Sequence, residues 1–359
     1  MLIVNKNPSS KVLKQGYQKF FYHWWHLIIL IFLFPLVYYW SKKYCRLFFN
    51  FTQDYQRSGK LQINDKLVEF NSFEHYHADL ADKKLTNFSF SPQEEQQIQE
   101  LTILNHNGDE LSMLILENPA SNKWVIGLHG WTENKYLALR QVYYFYQQGY
   151  NILTFDSVAH GLSYGQYSAI GYLNAQNVED VTQWLMKNYL VSEFGVIGNS
   201  MGASCASSYA LNYGYQNPKL KWIISDCGFI NLLVQFRYVM TYRYQKPWWL
   251  ISWDLRRIFK QQLGVDIKKY NLLKEHQRIK NIPFLLFHGE QDVFVPFFMS
   301  QKFINQKLKY EFQQISELVA LPILDHVEAI SKGHDLYLAK IKKFLESEQE
   351  LKNEITKKI

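Results

Sequence analysis

Three cysteines in 359 residues, Cys45, Cys205 and Cys227, stand far apart with no paired spacing. This argues against a disulfide framework and against a cysteine-built metal site. Internal repeats and low-complexity tracts are absent as well. Acid is scarce at one end. Residues 1–60 hold nine Lys or Arg and one acid, Asp54, while the remaining 299 hold thirty basic and thirty-one acidic side chains. The net charge of +7 therefore belongs to the N-terminal region. A nucleic-acid partner would call for a basic face on the folded domain, so none is expected.

Charge is missing altogether from Phe20 to Trp40, FFYHWWHLIILIFLFPLVYYW. At 1.5 Å per residue this run reaches about 30 Å, the thickness of the hydrocarbon core. Trp24, Trp25, Tyr38, Tyr39 and Trp40 bracket its aliphatic centre like interfacial belts. A cleaved signal needs small residues at the cut, and the following SKKYCRLFF offers no such site, while Cys45 sits in no lipoprotein pattern. The reading is a short basic tail over 1–19 and an uncleaved transmembrane anchor over 20–40, making the membrane a partner. Four lysines and no acid in the tail favour an internal N-terminus, placing the main domain outside the cell.

Residues 41–95 read as a linker with some helix. His75 and His77 fall there, too few for a metal site, and are read as solvent-exposed. From residue 96 to 347 strand and helix alternate. Ile98–Leu104 and Leu111–Leu116 flank the turn signal Asn107-Gly108. Apolar runs follow at Trp124–Leu128, Asn151–Phe155, Phe194–Ile197, Trp222–Ile224 and Phe284–Phe287, with amphipathic stretches such as Val178–Tyr189 between them. This pattern predicts an α/β domain with a mostly parallel sheet and helices on both faces. Residues 348–359 read as a polar C-terminal tail.

After the strand FGVI comes Gly198-Asn199-Ser200-Met201-Gly202, a G-x-S-x-G motif opening a helix. A strand-to-helix turn this tight leaves no room for side chains at 198 and 202, and it exposes the Ser200 hydroxyl. The backbone N–H of Met201, and that of Trp131 after strand WVIGL and His129-Gly130, are the expected oxyanion donors. Downstream, PFLLF leads into His288-Gly289-Glu290-Gln291-Asp292. Asp292 is the chosen acid, with Glu290 the alternative. His326, close behind the expected last strand Val319–Leu324, is preferred as the base over His334 at the head of the final helix Leu336–Leu345. His129 and His288 are read as structural. The order Ser200, Asp292, His326 is that of the α/β hydrolases. No metal and no cofactor are required.

The strings LHGWTENK, FDSVAHGLSYG, IGNSMGA, SDCGF, FHGEQDVFVPF and HVEA, followed by Tyr337, stand in one order. In them the chain resembles the membrane-associated α/β hydrolases of low-GC Gram-positive bacteria. These are the cell-surface hydrolase type, near the serine aminopeptidase and monoacylglycerol lipase branches. The resemblance runs from about residue 90 to 347. It implies an α/β-hydrolase fold with Ser200, Asp292 and His326 as triad, and the spacing from His326 to Tyr337 favours His326 over His334. Val158 departs from the arginine usual before His160-Gly161.

Carboxylic ester hydrolysis of a small-molecule or lipid-like acyl substrate is the expected chemistry. Peptide or thioester cleavage on the same triad, or a silent binding module, are the alternatives. About sixty residues separate the strands at Trp222 and Phe284, where a short link would do. The insert, at about 229–270, mixes aromatics with basic residues, and Pro247 suggests a break between two helices. Its aromatics could simply pack on the core. As an amphipathic lid it would instead line an acyl pocket, face an anionic bilayer, and favour medium or long acyl chains over acetyl.

Overall fold

The computed structural model describes residues 23–50, 59–63, 66–171, 173–311, 313 and 315–357. The expected basic tail, and residues 20–22 of the expected span, lie outside these. Helix α1, Trp24–Phe49, is long and apolar enough to cross a membrane. Its two halves differ. Ile31 and Phe32 are 73% and 80% exposed, whereas Val37, Ser41, Tyr44, Cys45, Phe48 and Phe49 are buried. The buried positions recur with helical spacing, so the C-terminal half is amphipathic and docks on the domain.

Strands β1, Lys60–Ile63, and β2, Lys66–Glu69, form a hairpin, and α2, Phe73–Asp82, follows. Helix α3, Pro92–Gln97, opens with a capping box between Ser91 and Glu94. The stretch expected as a linker is thus built into the domain over its described part. His75 is a correction: it is buried, with its Nδ1 3.2 Å from Asn134 Nδ2. His75, Tyr76, Asp79 and Leu80 form the inner face of α2, and burial lowers the histidine's pKa. His77 is exposed.

The main sheet begins with β3, Gln99–Leu104, and β4, Glu110–Leu116, which pair antiparallel. It continues through β5, Lys123–Leu128; α4, Lys135–Gln147; β6, Asn151–Phe155; α5, Asn174–Asn188; β7, Glu193–Asn199; and α6, Met201–Asn212. Strand β8, Leu220–Asp226, precedes the long insert. The insert contains α7, Leu232–Tyr238, a π-helical turn over Val239–Arg243, and α8, Trp248–Leu263. Then come β9, Phe284–Gly289; α9, Phe298–Lys307; β10, Glu317–Leu321; α10, Ala329–Lys332; and α11, His334–Lys357. The last helix extends through most of the expected C-terminal tail.

The strand order is β10-β9-β8-β7-β5-β6-β4-β3, and every pairing from β6 to β10 is parallel. The central strands are buried nearly end to end because helices cover both faces, which is why they read as apolar runs and not as alternation. One core lies on each face. Trp124, Tyr209 and Phe229 belong to one, and Trp222, Phe287 and Tyr337 to the other.

Pro247 caps α8, at the break expected between two helices. The insert's aromatics turn mainly inward. Phe236 and Phe259 meet Phe49 edge-on at 5.1 and 4.8 Å, and Tyr244 lies 5.3 Å from Tyr44. Several of its cations also have partners. Lys246 lies over Trp40, Arg257 over Tyr38 and beside Asp254, and Arg243 over Phe294. Packing against α1 therefore accounts for most of this composition, although Trp253 remains 58% exposed.

Candidate active site

Ser200 sits between the end of β7 and the start of α6 with φ 52° and ψ −111°. This strained turn persists because its neighbours leave no other course. A Cβ on Gly198 would lie 2.4 Å from the Gly202 carbonyl carbon, and one on Gly202 would lie 2.2 Å from the Leu128 oxygen. The Ser200 amide donates to the Asp226 carbonyl at 2.7 Å, tying the turn to the end of β8.

Three loops at the carboxyl edge of the sheet bring Ser200, His326 and Asp292 together. Ser200 Oγ is 2.9 Å from His326 Nε2, and His326 Nδ1 is 2.7 Å from Asp292 Oδ2. Asp292 accepts backbone N–H bonds from Phe294 at 2.8 Å and Val295 at 2.7 Å through Oδ1. It is fully buried. Burial alone would raise its pKa, but His326 and His288 hold it well below the usual carboxylate range. Burial likewise opposes the charged form of His326, yet the Asp292 carboxylate outweighs it and leaves the pKa above 6.5.

The other candidates lie elsewhere. His334 reaches the Ile330 carbonyl at 3.1 Å and packs on Phe88. His129 accepts the Ser157 amide at 2.9 Å and contacts the Gly130 carbonyl at 2.7 Å. His288 Nε2 faces two acceptors, Val295 O at 2.9 Å and Asp292 Oδ2 at 3.2 Å, so it carries the proton. Its Nδ1 then accepts from the Ser300 hydroxyl at 2.7 Å. Asp292, not Glu290, occupies the position facing His326. Met201 is the first residue of α6, and Trp131 stands beside Ser200 on the wall of a cleft of about 810 Å³. Asp82, Lys83, Lys84, Glu328 and Lys332 give that cleft a polar rim. An apolar cavity of about 30 Å³ also reaches Ser200 and shares Trp131 and Phe294 with the cleft.

A family model described as the alpha/beta hydrolase fold matches residues 123–257, from β5 into α8. The Pyrococcus furiosus esterase Pf2001 superposes with a TM-score of 0.59 at 26% identity, covering 72% of this chain and 94% of that one. The chain has the alpha/beta hydrolase fold. Among curated sequences, the uncharacterized protein YqkD of Bacillus subtilis (strain 168) is 24% identical over 225 residues, 62% of this chain and 71% of that one. An acylaminoacyl peptidase of Pyrococcus horikoshii shares the fold at 16% identity, with a TM-score of 0.52 over 79% of this chain and 45% of that one.

The candidate site holds residues that sequence reasoning passed over. Glu133 Oε2 accepts from the Gly130 amide at 2.7 Å and from Asn199 Nδ2 at 3.0 Å, linking the loop of Trp131 to the turn of Ser200. Its other oxygen meets Arg140, whose Nη1 reaches Asp79 at 2.8 Å. Burial would raise the Glu133 pKa, but Arg140, Lys83 and Asn199 pull it down to about 2. Asp156 plays a similar part in the turn containing Val158. It accepts from the Lys135 backbone at 2.8 Å and from Lys135 Nζ at 2.9 Å, and from the Leu162 amide at 3.0 Å. The TEN and FDS strings were the available signals, but charged residues beside a turn give no partner in one dimension.

Proposed function

We propose that this α/β hydrolase is a membrane-anchored serine esterase. The observation that carries this reading is the hydrogen-bonded chain from Ser200 through His326 to Asp292, set at the boundary of a polar cleft and an apolar cavity. Ser200 attacks the acyl carbonyl, and His326 takes its proton and returns it to the leaving alcohol. Asp292 holds the imidazole tautomer and stabilises the cation. The amides of Met201 and Trp131 receive the oxyanion. A water activated by His326 then releases the acid from the acyl-enzyme. The acyl group enters the apolar cavity, and the alcohol faces the open cleft. Likeness to the Pyrococcus furiosus esterase supports ester over amide as the bond cleaved.

The test is labelling by a fluorophosphonate probe. Wild-type protein should be labelled, and Ser200→Ala should not. Equal labelling of both, or of neither, overturns the mechanism.

The exposed apolar half of α1 supports an anchor, with the domain outside the cell, on the resemblance to cell-surface hydrolases of Gram-positive bacteria and the lysine-rich start. Trp253 of the insert adds an exposed aromatic for the same interface. Protease added to intact cells should degrade the hydrolase domain. Protection until lysis would reverse the orientation.

A further inference from the structure

We infer that the anchor helix forms a wall of the acyl pocket, and that Phe48 limits the enzyme to short acyl chains. The inference rests on the serine-esterase reading and names the substrate class for that site.

The apolar cavity beside Ser200 is bounded by Phe48 of α1, Phe236 and Val239 of the insert, Phe229, Ile170 and Phe294. Phe48 lies 5.7 Å from Phe236 and 5.6 Å from Trp131, ring centre to ring centre, so it stands between the insert and the oxyanion loop. The link to that loop is also polar: Trp131 Nε1 donates to the Phe48 carbonyl at 3.1 Å. The next residue fixes the helix end to the domain. The Phe49 carbonyl accepts from the Ser168 amide at 2.6 Å, and its ring packs on Phe236 and Phe259. The end of the anchor is therefore held on three sides by the domain and faces the nucleophile with an aromatic ring.

The cavity measures about 30 Å³. So small a space suits a short acyl tail and not an octanoyl one. The cleft that also reaches Ser200 is far larger and carries lysines and carboxylates at its rim. This asymmetry selects a short-chain acyl ester of a bulky hydrophilic alcohol. A long-chain lipid ester would have to displace Phe48, and with it the helix end that is bonded to Trp131.

The experiment uses full-length protein in detergent and p-nitrophenyl acetate, butyrate and octanoate. Wild type should show kcat/KM at least tenfold higher on butyrate than on octanoate. Shrinking the ring by Phe48→Leu or Phe48→Ala should raise the octanoate-to-butyrate ratio at least tenfold, the size of effect that one or two methylenes produce in a tight pocket. Phe48→Trp should shift preference from butyrate towards acetate. Wild-type preference for octanoate, or ratios unchanged in Phe48→Leu and Phe48→Trp, would overturn the inference while ester turnover keeps the esterase reading standing. No turnover of any ester and no fluorophosphonate label would instead remove the esterase reading and this inference with it.

Discussion

Ser200→Ala is expected to lower kcat by on the order of 10⁴–10⁶-fold, and His326→Ala by a comparable factor. The two side chains act as one unit, since the serine is a weak nucleophile unless Nε2 of His326 accepts its proton at 2.9 Å. His334→Ala should change kcat by less than about threefold, because that ring reaches the Ile330 carbonyl and packs on Phe88. An active His326→Ala beside a dead His334→Ala would reverse the assignment. The pH profile carries the same signature. The base must be neutral, and Asp292 holds the His326 pKa above 6.5. The acid limb of kcat/KM should therefore fall above pH 6.5, with rate lost as pH drops through it. In Asp292→Asn the limb should move to lower pH, and kcat should fall about 10⁴-fold as the tautomer is lost.

Glu133→Gln should cost stability and rate together. Arg140 is 1% exposed, and its charge is balanced by Glu133 and Asp79. Removing one partner of a buried pair costs about 3–5 kcal/mol. The Gln amide must also turn a donor towards either Arg140 or the Gly130 and Asn199 donors. The loop carrying Trp131 then loses its tie to the turn carrying Ser200, and kcat should fall about 10²-fold with a smaller change in KM. Thermal unfolding and steady-state kinetics on the same preparation test both parts. An unchanged Tm with full kcat would show that Glu133 neither supports nor positions. Acid should mimic the variant. The carboxylate's stabilising contribution is complete above its ordinary pKa of 4.5 and is lost as pH falls towards about 2.

How much was legible depends on how local each requirement is. The G-x-S-x-G turn could be read because its demands lie within five residues: side chains at 198 and 202 would collide with backbone. The strands could be read because burial on both faces leaves a run of apolar residues. His326 and Asp292 were reachable only through their order along the chain and the resemblance. The hydrogen bonds from His326 to Asp292 and to Ser200 cross 34 and 126 positions. The linker expectation and the exposed reading of His75 failed for the same reason. A stretch of moderate polarity shows no destination until α4 and the Asn134 amide are placed beside it.

The N-terminal helix shows the division most clearly. Composition alone determined that residues 20–40 form a charge-free run of membrane length, that the basic excess lies at the N-terminal end, and that a nucleophile-type turn centres on Ser200. Only the tertiary structure decided that the same helix continues to Phe49 and buries Tyr44, Cys45 and Phe48 in the domain, with Phe48 lining the cavity at Ser200. Hydropathy measures each residue's preference for leaving water. It does not distinguish lipid from protein as the medium entered, and that choice is made by the partners the folded chain brings alongside.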